Sequence, residues 1–172
     1  MHAASLSAAT SQGCSGTRHR LFPDCGAGYN IAMKIFLSHA SKDTELAAQL
    51  AEALRSHDLT VLHPQAEIEP GENWAKKIGK ALQDSDFIVF LFTPGTMKAD
   101  WVVRKDVEFA LGAKKYAGRV FSVFVGTARA ARKEVPWILL KQRYRLVESA
   151  RKFNDIAEEI ESLCSEESAS HA

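Results

Sequence analysis

The sequence predicts an α/β fold, a five-stranded parallel sheet with helices on both faces. Three observations carry that prediction. Short apolar runs recur at 34–38, 59–62, 87–92 and 119–125, with a weaker one at 144–147. Amphipathic helical stretches separate them. The runs alternate little between apolar and polar, so they need cover on both sides, and helical crossovers between parallel strands supply it.

The elements follow in order. Lys34-Ile35-Phe36-Leu37-Ser38 reads as a buried first strand. A helix then runs to about Ser56, with Leu46, Ala47, Leu50, Ala53 and Leu54 on one face. Ser41 or Asp43 can cap it. Leu59 to Leu62 is a second strand, followed by a loop, His63 to Glu72, that contains Pro64, Pro70 and Gly71. Asn73 caps a helix whose face carries Trp74, Ile78, Ala81 and Leu82. Phe87 to Phe92 is the third strand, broken by Thr93-Pro94-Gly95. The next helix runs from about Asp100 to Tyr116 and stops near Gly118. Arg119 to Val125 is a fourth strand, then comes a mixed loop, and Tyr144 to Val147 is a weaker fifth. Phe153, Ile156, Ala157, Ile160 and Leu163 form a last amphipathic helix. Five strands in about 140 residues fit a flavodoxin-like order, 2-1-3-4-5.

The ends read differently. Residues 1–32 are rich in Ala, Ser, Gly and Thr without a period. They bury too little apolar surface to offset ordering entropy. They are expected to be a disordered segment or a translated leader before Met33. Residues 33–164 form the domain, and 165–172 are expected to be a flexible tail.

Composition narrows the function classes. Apolar residues make up 46% of the chain and charged residues 25%, with a formal charge of +1. That balance gives no basis for a nucleic-acid or membrane-surface partner. Cys14, Cys25 and Cys164 form no metal-ligand spacing and are too few for a disulfide framework. The expected compartment is the cytoplasm. There is no Gly-rich phosphate cradle, zinc spacing or nucleophile elbow. The basic cluster Arg129 to Lys133 reads as a solvated loop.

In a sheet of this order, ligands bind beyond the carboxyl ends of strands 1 and 3, where the winding reverses. That rule selects Ser38, His39, Ala40, Ser41 and Asp43 after strand 1. It also selects Thr93, Pro94 and the start of the following helix after strand 3. Pro70, Gly71 and Trp74 lie beside them. On that helix, Val103, Val107, Ala110, Leu111 and the stem of Lys114 form the predicted buried stripe. Asp106 borders the stripe near Val102 and Phe109, while Glu108 lies opposite, near Arg104 and Lys115. Desolvation raises the pKa of a carboxyl and a helix N-terminus lowers it, so the direction for Asp106 is open. Each candidate also has a structural reading. His39, Ser38 and Asp43 can satisfy backbone groups, Pro70-Gly71 can simply turn, and Trp74 and Trp101 can pack at the rim.

The chain resembles a Toll/interleukin-1 receptor (TIR) domain of the small bacterial kind over about residues 33–164. Three pieces carry the resemblance: Lys34-Ile35-Phe36-Leu37-Ser38-His39-Ala40-Ser41-Lys42-Asp43, then Ile68-Glu69-Pro70-Gly71-Glu72-Asn73-Trp74, then Ser85-Asp86-Phe87-Ile88-Val89 with Asp100-Trp101-Val102 through Ala110-Leu111. The resemblance implies one of two functions. Some TIR domains are adaptors that self-associate through the loop after strand 2. Others cleave the nicotinamide–ribose bond of NAD, as substrate rather than cofactor, giving ADP-ribose or cyclised isomers in anti-phage defence. The implied partners are NAD and a second TIR protein or a downstream effector. The implied catalytic residue is a glutamate four positions beyond the Trp at the start of the helix after strand 3.

The chain departs from that pattern, because four positions beyond Trp101 stands Lys105. Aligning on Ala110-Leu111 places Asp106 at the catalytic position, and Glu108 comes two residues later. Both stay candidates. Ser38, His39, Ala40, Pro70, Gly71, Trp74, Thr93 and Trp101 are the candidate substrate contacts. A non-enzymatic self-association module and a nucleotide sensor without turnover are the competing readings.

Overall fold

The computed structural model describes residues 33–63, 71, 73–96 and 100–169. Five strands form one parallel sheet: β1 (Lys34–Ser38), β2 (Thr60–Leu62), β3 (Phe87–Phe92), β4 (Val120–Val125) and β5 (Arg143–Val147). Their order is β2-β1-β3-β4-β5, as the sequence predicts. Ile35 pairs with both Val61 and Phe87, and Val89 pairs with Phe121, so β1 and β3 sit side by side in the middle.

Among the described residues, five α-helices accompany the strands: α1 (Thr44–Arg55), α2 (Trp74–Asp84), α3 (Trp101–Gly112), α4 (Ala128–Glu134) and α5 (Phe153–Ala169). Alternation along each strand divides the core in two. Ile35, Leu37, Val61, Val89 and Val123 face one layer, with Leu50 and Leu54 of α1 and Ile156 and Ile160 of α5. Phe36, Ile88, Phe90 and Phe92 face the other, with Ile78 and Leu82 of α2 and Val103, Val107 and Ala110 of α3. Every residue of β3 is buried, which explains why its sequence does not alternate.

Several boundaries differ from the sequence reading, each for a local reason. A 3-10 turn, Ser41–Asp43, precedes α1, and Asp43 stands at the N-cap position of α1, but no side chain makes a capping bond there. The polar groups of Ser41 and Asp43 are engaged with the loop after β3 instead. Asn73 does cap α2, accepting from the Lys76 amide. Helix α3 ends at Gly112 rather than Tyr116, and a separate 3-10 turn covers Lys114–Tyr116. Tyr116 is buried there, with its hydroxyl hydrogen-bonded to Leu82 O and Ser85 Oγ. The segment containing Arg129 to Lys133 is helix α4, not a loop. Helix α5 runs five residues past 164, the expected domain end. The expectation for residues 1–32 lies outside the described residues.

Candidate functional site

Four side chains, Asp43, Asp100, Lys42 and Ser38, join the carboxyl ends of β1 and β3 through polar contacts. Asp43, 6% exposed, accepts from Thr93 Oγ1 at 2.9 and 2.8 Å and from Thr96 Oγ1 at 3.2 Å. Asp100 caps α3 by accepting from the Val102 amide at 2.9 Å, and its second oxygen accepts from the Ser41 amide at 3.0 Å. Lys42 Nζ donates to Pro94 O at 2.6 Å. Ser38 Oγ donates to Asp106 Oδ2 at 2.7 Å. Two strands meet at a reversal of winding, and their following loops are fastened to each other.

This frame explains where the two candidate acids go. Val103, Asp106, Val107 and Ala110 are spaced i, i+3, i+4 and i+7, and all four are buried. Asp106 therefore lies within the buried arc of α3 rather than on its border, with 3% of its surface exposed. Leu111, placed in the stripe by the sequence reading, is exposed instead. Burial pushes the Asp106 carboxyl up to about 6, the Ser38 bond acts against this, and nearby Asp100 adds to it. Desolvation outweighs the Ser38 bond, so the direction left open by the sequence is upward. Glu108 faces solvent and pairs with Lys105 at 2.7 Å, both side chains 65% exposed.

The predicted contact residues divide into three groups. Ser38, His39 and Ala40 are 0–1% exposed and present no surface to a ligand in this arrangement. Thr93 is buried and engaged with Asp43. Gly71 is exposed with φ +96°, a left-handed conformation suited to glycine. Pro70 lies outside the described residues, as do the side chains of Trp74 and Trp101. The backbone of both tryptophans opens a helix, α2 and α3 respectively.

His39 has a role that the sequence reading missed. The pleat turns Ser38 toward α3 and His39 toward the opposite layer. There His39 Nε2 lies 3.0 Å from His63 Nε2, with the rings edge to face at 4.6 Å. One ring donates and the other accepts. Burial first, then His39 and Arg55, lower the His63 pKa to about 4. The available signal was positional, since each histidine directly follows one of two neighbouring parallel strands.

Among the described residues, no cluster of three or more His, Cys, Asp or Glu could hold a metal ion. No described helix is long and apolar enough to cross a membrane. A concavity of about 420 Å³ lies away from Asp106, between β5 and the start of α5, lined by Arg145, Leu146, Ser149 and Ile156 among others. Two ion pairs, Arg145 with Glu159 and Lys152 with Asp155, lie among its lining residues.

The TIR domain family model matches residues 35–162. The chain belongs to the TIR domain family. One curated relative, the 2' cyclic ADP-D-ribose synthase BtTIR of Bacteroides thetaiotaomicron, is 33% identical over 67 residues. That match covers 38% of this chain and 23% of the relative. Among solved structures, a metazoan TIR-STING receptor from C. gigas in complex with 2',3'-cGAMP superposes with a TM-score of 0.59 at 16% identity. The superposition covers 76% of this chain and 40% of that one, and it establishes the shared fold. The chain spans less than half the length of either protein.

Proposed function

We propose that this TIR domain protein cleaves the nicotinamide–ribose bond of NAD, with Asp106 as the essential carboxylate. The observation that carries the reading is the position of Asp106, a buried acid in the second turn of α3 that is hydrogen-bonded to Ser38 at the carboxyl end of β1, where the winding of the sheet reverses. The partial match to a cyclic ADP-ribose synthase supports the reaction class.

The chemistry suits one buried carboxylate. The C1'–N bond breaks, and nicotinamide leaves with the electron pair. Positive charge develops on the ribose, as in glycoside cleavage. Asp106, ionised above about pH 6, stabilises that charge and orients the ribose hydroxyls. Water or a hydroxyl of the same molecule then captures C1', giving linear or cyclic ADP-ribose, and the captured oxygen loses its proton to Asp106 or solvent. Aspartate is one methylene shorter than the family's glutamate, so the substrate must approach closer to the helix. Glu108 points elsewhere and does not share this role.

We further read the chain as a cytoplasmic signalling component of bacterial anti-phage defence, acting with another TIR protein or a downstream effector. A second reading, a self-association or adaptor module, draws on a different observation. Trp137, Ile138, Tyr144 and Leu146 lie on and just before edge strand β5, with 36–67% of their surface exposed. Exposed apolar side chains on a sheet edge favour association. Incubating the protein with NAD at concentrations that favour assembly, and measuring released nicotinamide, separates the readings. Release supports the enzyme, and its absence at every protein concentration leaves the module.

A further inference from the structure

We propose that Ser38 is a positioning residue for the reaction. Its buried hydroxyl holds the Asp106 carboxylate at the crevice and favours its charged form, without itself touching substrate. The inference rests on the reading of Asp106 as the reacting acid.

Position and burial both point this way. Ser38 is the last residue of β1 and pairs in register with Phe90 of β3, so backbone pairing fixes it in the sheet centre. It is 0% exposed, and its hydroxyl is engaged by Asp106. The pleat that places Phe36 in the layer below α3 also turns Ser38 toward it. The 2.7 Å bond then joins two side chains that are both almost fully buried and 68 positions apart.

A serine hydroxyl has one proton to donate. Donated to a carboxylate, it stabilises the charged form. Once the acid is protonated, the same bond is worth less. It thus opposes the two influences that discharge Asp106, namely burial and the neighbouring Asp100 carboxylate. Other charged groups near this part of α3 are engaged elsewhere. Lys105 pairs with Glu108 on the exposed side, and Asp43 is bonded to Thr93 and Thr96. The His39–His63 pair faces the opposite layer of the sheet.

The test is carboxyl-carbon NMR titration of Asp106 in the parent chain and in Ser38→Ala, Ser38→Cys and Ser38→Thr, alongside the pH profile of nicotinamide release. The carboxyl titration needs no turnover. Ser38→Ala is expected to raise the Asp106 pKa by about one unit, and Ser38→Cys, a weak donor, by somewhat less. Ser38→Thr keeps a hydroxyl and is expected to titrate like the parent. The acid limb of the activity profile should move by the same amount. If Ser38→Ala does not fold, the Ser38→Cys and Ser38→Thr comparison decides. A titration unchanged in every folded variant that lacks the hydroxyl overturns the hold on Asp106. A shifted titration in a parent that releases no nicotinamide overturns the catalytic purpose instead, so the two failures are distinct.

Discussion

Asp106 and Glu108 lie two positions apart on α3, yet one is buried against Ser38 and the other is paired with Lys105 in solvent. Two residues turn an α-helix by about 200°, which is enough to separate core from surface. The consequence for Glu108 is plain. Glu108→Gln should alter stability by less than about 0.5 kcal/mol in urea denaturation, because an exposed pair contributes little. Nicotinamide release should stay within about twofold of the parent.

Ionised Asp106 costs the fold stability. Its folded pKa of about 6 exceeds the ordinary carboxylate value of 3.8. The protonated form is the one that burial favours, so its contribution is fully present below 3.8 and is lost as pH rises through 6. Asp106→Asn should therefore gain stability relative to the parent between pH 4 and pH 7. Chemical denaturation at several pH values measures that trend. The sign for activity is opposite, with nicotinamide release rising through about pH 6 as the carboxylate forms.

His63 acts on stability in the other direction. Its pKa is lowered from 6.5 to about 4, so its contribution is present above 6.5 and is lost as pH falls toward 4. The loss should be on the order of 2 kcal/mol. His63→Asn should be less stable than the parent at pH 7.5, having lost its bond to His39. Its further decline toward pH 4.5 should be shallower than the parent's. An equally steep decline in the variant would place the titrating group elsewhere.

Two buried polar positions should behave oppositely. Asp43→Ala removes the acceptor shared by Thr93 and Thr96 and should cost about 2–3 kcal/mol, because it leaves buried hydroxyls without their acceptor. Ser122, in the middle of β4, has a buried hydroxyl without a hydrogen-bond partner among the described residues. Ser122→Ala should be neutral or stabilising by up to about 1 kcal/mol. Urea midpoints of the two variants check both expectations.

The architecture was legible because its signals are local. β1, β3 and β4 are short apolar runs, and the buried faces of α1 and α5 repeat at helical spacing. Helix α4 was not legible, since Ala128 to Glu134 has no apolar residue larger than alanine to mark a face. Likewise the sequence placed Asp106 at the crevice but could not show which way its pKa would move. That depends first on how deeply the core buries it, and then on Ser38, 68 positions away, and Asp100. Asp43 looked like a helix cap because capping is a local role for Asp. Its partners, Thr93 and Thr96, are 50 and 53 positions distant. His39 was read as a crevice residue because strand position alone does not reveal its partner on the opposite face.

The most direct measurement is nicotinamide release from NAD by the concentrated protein at about pH 7.5, comparing the parent with Asp106→Asn and Glu108→Gln. The buried carboxylate between β1 and α3 predicts release by the parent and by Glu108→Gln, and at least a hundredfold loss in Asp106→Asn, roughly the scale of losing one electrostatic stabiliser. Release that survives in Asp106→Asn, or a parent inactive at every protein concentration, would contradict it.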